Sequence, residues 1–354
     1  MSTSLSRTIY LPIGGLLALL LSACASSPLS NHEREQLAGR TCVITGASSG
    51  IGRGVALALA QAHANVVLAA RNTDALDDVA RQARAAGAIA LVVPTDVSRP
   101  DDVKRLAAEA LAHFGRIDVW INDAGVGLIG RFDSIPVEHQ ARVVDVNLKG
   151  VIYGSYAALL QFRQQRRGTL INVGSVESEV PLAYQATYGA TKHAVLALGR
   201  ALNEELRLDG LKNVQVATIM PFATDTPIFD HIANFSGHTP RSMLPDPPAK
   251  VVNTILHTVL SPHEEVPVGW KGSLSYHAHR LFGDLTEWMA ATLYHHEQME
   301  LAPPAPVTTG NLYSPAPGLG SVTGTTRSRV TAEDAARDGK ATPSPSPDSR
   351  PAPP

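Results

Sequence analysis

An apolar run, Thr41–Thr45, passes directly into Thr45-Gly46-Ala47-Ser48-Ser49-Gly50-Ile51-Gly52, and a helical pattern carries on to His63. No other feature narrows the fold as much. A strand that turns through glycines into a helix leaves the first N–H groups of the helix unpaired and its positive dipole end exposed, an arrangement that suits a phosphate. Gly46 allows the tight turn, Gly50 lets backbone approach a phosphate, and Gly52 lets helix pack on sheet. Ser48, Ser49 and Ile51 complete a loop of the kind that faces a dinucleotide pyrophosphate.

The same alternation continues along the chain. Val66–Ala70, Ala90–Thr95, Val119–Asn122, Thr169–Val173 and Val214–Ile219 are β-rich runs separated by helical stretches. One of these, Asp74–Ala86, has Asp74 as its expected N-cap and Gly87 as its stop. Strands alternating with helices of this length imply βαβ units and a parallel sheet covered on both faces. The expected fold is α/β: a Rossmann-type doubly wound parallel sheet flanked by helices, one domain over residues 38–270 with a C-terminal helical extension. A chain of 354 residues has room for that and more. Hydrophobic residues at 44% and charged residues at 18% are ordinary for a globular protein. A net charge of −2 points to neither nucleic acid nor an anionic membrane as a partner. Cys42, within the first strand, reads as a small buried hydrophobe.

The flanks differ from the centre. Arg7, an apolar run from Ile9 to Leu21, and Leu21-Ser22-Ala23-Cys24 resemble a bacterial lipoprotein signal, so residues 1–24 are expected to be a signal or anchor with Cys24 lipidated. The alternatives are an uncleaved membrane anchor and a true start near Asn31. Residues 25–37 read as a linker. Within 271–300, Leu281, Leu285, Trp288, Met289 and Thr292 recur at helical spacing, predicting one amphipathic helix that packs on the domain or a partner subunit, or lies on a membrane surface. Residues 301–354 hold eleven of the 25 prolines among Ser, Thr, Gly and Ala, a composition that predicts disorder.

Four polar residues carry the chemistry: Asn147, Ser175, Tyr188 and Lys192. Tyr188 and Lys192 are one helical turn apart and so share a face. A phenol beside a fixed ammonium can give or take a proton near neutral pH. The end of the second strand chooses the cofactor: Ala70-Arg71-Asn72 lacks the carboxylate that holds an NAD ribose. Arg71 suits a 2′-phosphate through charge-assisted hydrogen bonds, with Arg53 near enough in sequence to help, so NADP is favoured over NAD.

Residues 38–270 resemble a classical short-chain dehydrogenase/reductase. The likeness rests on TGASSGIG at 45–52, Asp96-Val97, Asn122-Asp123-Ala124-Gly125, Asn147, Ser175 and Tyr188-Gly189-Ala190-Thr191-Lys192, in family order. It implies that Tyr188 is the general acid in reduction and the base in oxidation, and that Lys192 lowers its pKa and binds ribose hydroxyls. Ser175 would polarise the substrate carbonyl, and Asn147 would hold a relay water. Asp96 and Val97 would meet the adenine end, Asn122, Ala124 and Gly125 would line the cofactor, and Pro221 and Thr226 would grip the nicotinamide. Asp123 stands where the family usually has Asn, and Phe222 where glycine is common. By the same analogy Phe222–Pro248 forms a substrate lid, whose Phe229, Ile232, Phe235 and Met243 suggest an apolar substrate.

The implied activity is interconversion of a small-molecule carbonyl and alcohol, by a chain expected to form a homo-oligomer. A non-catalytic nucleotide-binding or redox-sensing protein, attached to a membrane on the same fold, is the alternative. An exported lipoprotein conflicts with a cytoplasmic cofactor, so the expected location is membrane-associated with the side left open, or cytoplasmic if translation begins later. His277, His279, His295 and His296 match no common zinc spacing, and no metal is expected.

Overall fold

The computed structural model describes residues 27–242 and 244–339. The lipoprotein-like segment with Cys24, Met243 of the expected lid, and the tail beyond residue 339 lie outside them.

A short helix, α1 (Asn31–Leu37), leads into β1 (Thr41–Thr45), and the glycine turn opens α2 (Gly50–Gln61). Then follow β2 (Asn65–Ala70), α3 (Thr73–Ala85), β3 (Ala90–Pro94), α4 (Pro100–Phe114) and β4 (Val119–Asn122). A two-residue strand β5 (Leu128–Ile129) precedes α5 (Val137–Val144), a π-turn (Asp145–Lys149) and α6 (Gly150–Gln165). The second half runs β6 (Gly168–Val173), α7 (Ala186–Leu208), β7 (Val214–Met220), α8 (Ile228–His231), β8 (Ala233–Asn234), α9 (Pro248–Leu260) and β9 (Glu265–Pro267). Seven strands form one parallel sheet in the order β3-β2-β1-β4-β6-β7-β9. The order reverses between β1 and β4, opening a crevice at the carboxyl ends of the strands.

Period-two alternation explains the two cores. Cys42 and Ile44 of β1 face α2, α3 and α9 through Leu59, Leu76 and Ile255, whereas Val43 faces α4, α6 and α7 through Leu106, Phe162 and Leu206. Each of these large side chains, buried, contributes about 1.5–3 kcal/mol. Trp120 of β4 is fully buried, and its indole N–H donates to Asn122 Oδ1 at 2.8 Å. The start of α3 corrects the sequence expectation: Asn72, not Asp74, is the N-cap, its side chain accepting from Ala75 N at 3.0 Å.

Two larger corrections concern the C-terminal part. The single amphipathic helix is two, α10 (Gly269–Leu281) and α11 (Gly283–His295), broken at Phe282. Leu281, Leu285 and Trp288 are exposed. The tail is not disordered over 301–339. Thr308 pairs with Asn234 in an antiparallel bridge, Leu312 is fully buried, and Thr326–Arg337 forms α12. Arg241, 1% exposed, ties α12 to the lid through Glu333 (3.1 Å) and Asp334 (2.7 Å). Composition measures the apolar surface a segment brings with it; this segment uses apolar surface and hydrogen-bond partners supplied by the domain. Among the described residues no helix is long and apolar enough to cross a membrane.

The revised cap gives a test. Asn72→Ala should lower the unfolding free energy by at least about 1 kcal/mol, whereas Asp74→Ala should stay within about 0.5 kcal/mol of the parent. Urea unfolding followed by circular dichroism separates the two.

Candidate active site

A cavity of about 670 Å³ occupies the crevice, within the roughly 300–1,000 Å³ usual for small-molecule sites. Its walls contain the glycine turn (Gly46, Ser48, Ser49, Gly50, Ile51), the end of β2 (Arg71, Asn72), Asp96 and Val97, and Ala124 and Gly125. They also contain Ser175, Tyr188, Lys192, Pro221 and Thr226. The glycine turn and the Tyr–Lys pair therefore share one space. Three expected residues stand behind the wall. Gly52 packs α2 against the glycine turn, and a Cβ there would come within 2.4 Å of Gly46 O. Asn122 is buried with its side chain donating to Asn172 Oδ1 at 2.9 Å. The Asn147 side chain clamps Val126, accepting from its N–H and donating to its carbonyl, both at 2.8 Å.

The elements explain these placements. Tyr188 and Lys192 project from the first turns of α7. Lys192 Nζ donates to Val173 O at 2.8 Å and lies 5.5 Å from the Tyr188 ring centroid, so the ammonium is anchored beside the phenol. Ser175 caps a 3₁₀ turn after β6, and its Oγ accepts from Glu177 N at 3.1 Å, which leaves its O–H to face the Tyr188 hydroxyl. Asn147 sits in the π-turn, an irregularity often found at functional sites.

Burial sets the electrostatics. It pushes the Tyr188 phenol above its ordinary value, reinforced by Glu177 and Asp123 and opposed by Ser175. Burial lowers the Lys192 ammonium to about 8, against the support of Asp123 and Glu177. Burial also raises Glu177 to about 8 and Asp123 to about 7, each opposed by Lys192. Asp123, Glu177 and Lys192 thus titrate between about 7 and 8 around a phenol that burial makes hold its proton more firmly than a free tyrosine does.

Other expected residues are positioned differently. The Arg53 guanidinium turns from the cavity to pair with Asp78 and donate to Leu319 O at 2.8 Å. Arg71 reaches the cavity but donates to the carbonyls of Asn311 (2.7 Å) and Leu312 (3.2 Å). Asp96 pairs with Arg142 at 3.0 Å. Phe222, in place of the usual glycine, stacks under Lys271, 5.4 Å from Nζ to ring centroid. Of the lid residues, Phe229 and Ile232 line the cavity, whereas Phe235 packs against Gly130 and His139.

A nicotinamide dinucleotide fits the residues present. Gly46, at φ +75°, lies so close to β4 that a Cβ would meet Ala124 N at 2.9 Å, which keeps the turn low and the cavity open above it. No side chain caps the N-terminus of α2, where Gly50 N donates to the main-chain carbonyl of Ser321 at 2.7 Å. Among the described residues no group of His, Cys, Asp and Glu could hold a metal ion.

The family model for short chain dehydrogenase matches residues 40–236. The chain belongs to the short-chain dehydrogenase family. It is 33% identical over 289 residues to the uncharacterized oxidoreductase YxnA of Bacillus subtilis, covering 80% of this chain and 81% of that one. An uncharacterized oxidoreductase of Staphylococcus haemolyticus, SH0585, is 34% identical over 227 residues, 64% of this chain and 94% of its own. Among solved structures, a short-chain dehydrogenase/reductase from Burkholderia phymatum in complex with NAD superposes with a TM-score of 0.63 at 26% identity, covering 77% of this chain and 99% of that one. An alcohol dehydrogenase from Thermococcus sibiricus complexed with 5-hydroxy-NADP gives 0.56 at 28% identity, covering 64% and 94%. The chain is thus an oxidoreductase of this family.

The sequence reading missed Glu177, Gln185, Tyr294, Arg142 and the strap 311–321. Glu177 is buried in the cavity wall, its Oε2 without a hydrogen-bond partner among the described residues, and the Tyr294 hydroxyl is buried beside Gln185. Glu177, two residues beyond Ser175, carried a signal in its position; Tyr294 and Arg142 carried none.

Glu177 gives a pH test. Its carboxyl is raised from 4.5 in the open chain to about 8 in the fold. The folded state keeps a proton that the unfolded state releases, so the contribution of Glu177 to stability falls as pH climbs from about 4.5 to about 8 and is level above that. Glu177→Gln should unfold at the parent's temperature below pH 4.5, gain steadily above it, and hold a constant advantage beyond pH 8. Thermal melts across that range check the trend; parallel curves would refute it.

Proposed function

We propose that the protein is an NADP-dependent dehydrogenase/reductase that interconverts a small-molecule carbonyl and its alcohol. The observation that carries this reading is the shared cavity of the glycine turn with Ser175, Tyr188 and Lys192. A bound nicotinamide would supply or accept the hydride. Tyr188 gives the proton to the nascent alkoxide in reduction and takes it back in oxidation. Ser175, whose Oγ already accepts from Glu177 N, turns its O–H to the substrate oxygen and stabilises the charge that develops there. Lys192 spends one donor on Val173 O and keeps two for ribose hydroxyls, while its charge favours ionised Tyr188. Asn147 fixes the Val126 backbone and, with the π-turn, the geometry through which a water chain would return protons to Lys192.

The NADP preference rests on Arg71 at the end of β2, where no carboxylate stands, with Arg142 sharing the Leu312 carbonyl at 3.0 Å. The substrate half of the cavity combines Phe229, Ile232, Met289 and Leu293 with the polar Glu177, Gln185, Thr286, Tyr294 and Glu297. The substrate accordingly combines an apolar part with polar groups besides the reacting carbon. A homo-oligomer is part of the same reading: α6 exposes Ile152, Tyr156 and Leu160 at four-residue spacing, a stripe suited to a second copy.

Nucleotide-free protein should bind NADPH at least about tenfold more tightly than NADH, a difference of about 1.4 kcal/mol, and Arg71→Glu should abolish that difference. Tyr188→Phe should keep the NADPH affinity while kcat toward small ketones falls about 10²–10⁴-fold. Nicotinamide fluorescence and absorbance report both. Binding without turnover in the parent would favour the non-catalytic alternative, and no binding of either nucleotide would sink both readings.

A further inference from the structure

We propose that residues 311–321 form a further part of the nucleotide site, a clasp that closes its outer side and retains the bound nicotinamide nucleotide between turnovers. The proposal rests on the oxidoreductase reading above.

The strap visits, in order, the places that would hold the cofactor. At the end of β2, Arg71 donates to the carbonyls of Asn311, Leu312 and, at 3.5 Å, Ser314. Asn72 Nδ2 donates to the carbonyls of Ala316 and Gly318, both at 3.0 Å. At the glycine turn, Arg53 holds Leu319 O, and Gly50 N donates to Ser321 O at 2.7 Å. Just beyond, Gly324 N donates to Asp225 O at 2.9 Å, beside the Thr226 expected to grip the nicotinamide. Asn311, Pro315, Ala316, Pro317, Gly318 and Gly320 line the same cavity as Gly46, Asp96 and Tyr188, so the strap is a wall of it.

Both ends are tied down. Leu312 is fully buried in the core that contains Val97 and Val146, and Tyr313 shares a hydrogen bond with His139 Nδ1 at 2.8 Å. At the far end Thr325 donates through Oγ1 (2.6 Å) and N (3.1 Å) to the Asp230 carboxylate, and Thr326 is fully buried. Between the anchors, Pro315 and Pro317 reduce the freedom the open strap would gain, which favours the closed form. Gly320 takes φ +71° against the glycine turn, where a Cβ would lie 2.4 Å from Ser48 O. That close approach ties the strap to the loop expected to hold the pyrophosphate.

The charges agree with an anionic occupant. Arg71 and Arg142 both donate to Leu312 O, a neutral acceptor, and Arg142 has Asp96 as its carboxylate. Among the described residues no carboxylate forms an ion pair with Arg71; its contacts are the strap carbonyls. One guanidinium can thus serve both a phosphate and the clasp, so that a bound phosphate fixes the group that holds the clasp shut.

Release rates decide the matter. The full-length protein is loaded with NADPH, and loss of nicotinamide fluorescence is followed after mixing with excess NADP⁺. Nucleotide remaining on the protein after gel filtration is quantified by chromatography of an acid extract. Gly320→Val, in an exposed stretch, and Leu312→Asp, at the anchor, each lift the strap, with circular dichroism and melting curves checking that the variants fold. The parent should keep nucleotide through gel filtration, and both folded variants should release it at least tenfold faster. If Leu312→Asp fails to fold, Gly320→Val alone carries the test. Equal release rates in parent and variant would overturn the clasp. Faster association and tighter binding in Gly320→Val, with release unchanged, would also overturn it by showing a plug. Absence of binding in parent and variants alike would overturn the oxidoreductase reading and the clasp together.

Discussion

Strands β1 and β4 hydrogen-bond side by side while the connections that leave them pass to opposite faces of the sheet. Everything in the site follows from that divergence. A parallel sheet must be covered on both faces, so the helices cannot close over the point where they part. The crevice left there receives the N-terminus of α2 from one side and the β4 and β6 ends from the other. Lys192 crosses this junction: it rises from α7, is held by Val173 O at the end of β6, and feels Asp123 at the end of β4. A shift of one strand against its neighbour would separate the glycine turn from the Tyr–Lys pair.

The junction also explains why a carboxylate is tolerable where the family commonly has asparagine. Asp123 lies beneath the α2 N-terminus and accepts from Gly52 N–H, with Lys192 close enough to oppose its upward shift. A helix N-terminus and an ammonium both favour a negative charge, and burial opposes them. The outcome near 7 leaves the carboxyl poised rather than fully ionised, and with Glu177 it sets the field in which Tyr188 titrates.

What was legible in the sequence was local or periodic. The strand–glycine–helix unit, the alternation of elements and the four-residue Tyr–Lys spacing each fit within one or two elements, and short-range pattern reports them well. Even so, single residues went astray where a side chain had two partners to choose between. Arg53 lies next to the glycine turn in sequence, but Asp78 on the neighbouring helix and Leu319 O claim its guanidinium. Asn72 outcompetes Asp74 for the α3 cap because it occupies the extended position whose oxygen meets Ala75 N. The Asn147 amide is consumed by Val126, a partner 21 residues away that no spacing rule names. Tyr294 and Arg142 reach the site only through tertiary packing, so nothing in their own neighbourhoods marks them.

The tail is the clearest case of the limit. Low apolar content argues that a segment cannot fold alone, and the argument is sound for an isolated chain. It does not apply when a folded surface already presents donors that lack acceptors. Arg71 and Asn72, just past the end of β2, find their acceptors in the main-chain carbonyls of the proline-containing strap, and Arg53 and Arg142 add bonds to Leu319 O and Leu312 O beside their carboxylate partners Asp78 and Asp96. Prolines have no N–H to bury, so a Pro-rich strap offers acceptors without adding donors that need satisfying. Gly320 then permits the backbone to lie against the turn at Ser48. The composition that reads as disorder is thus one well suited to meet a row of arginine and asparagine donors. Leu312, fully buried at one end, and Thr326, fully buried just past the other, set the register of the strap along that row.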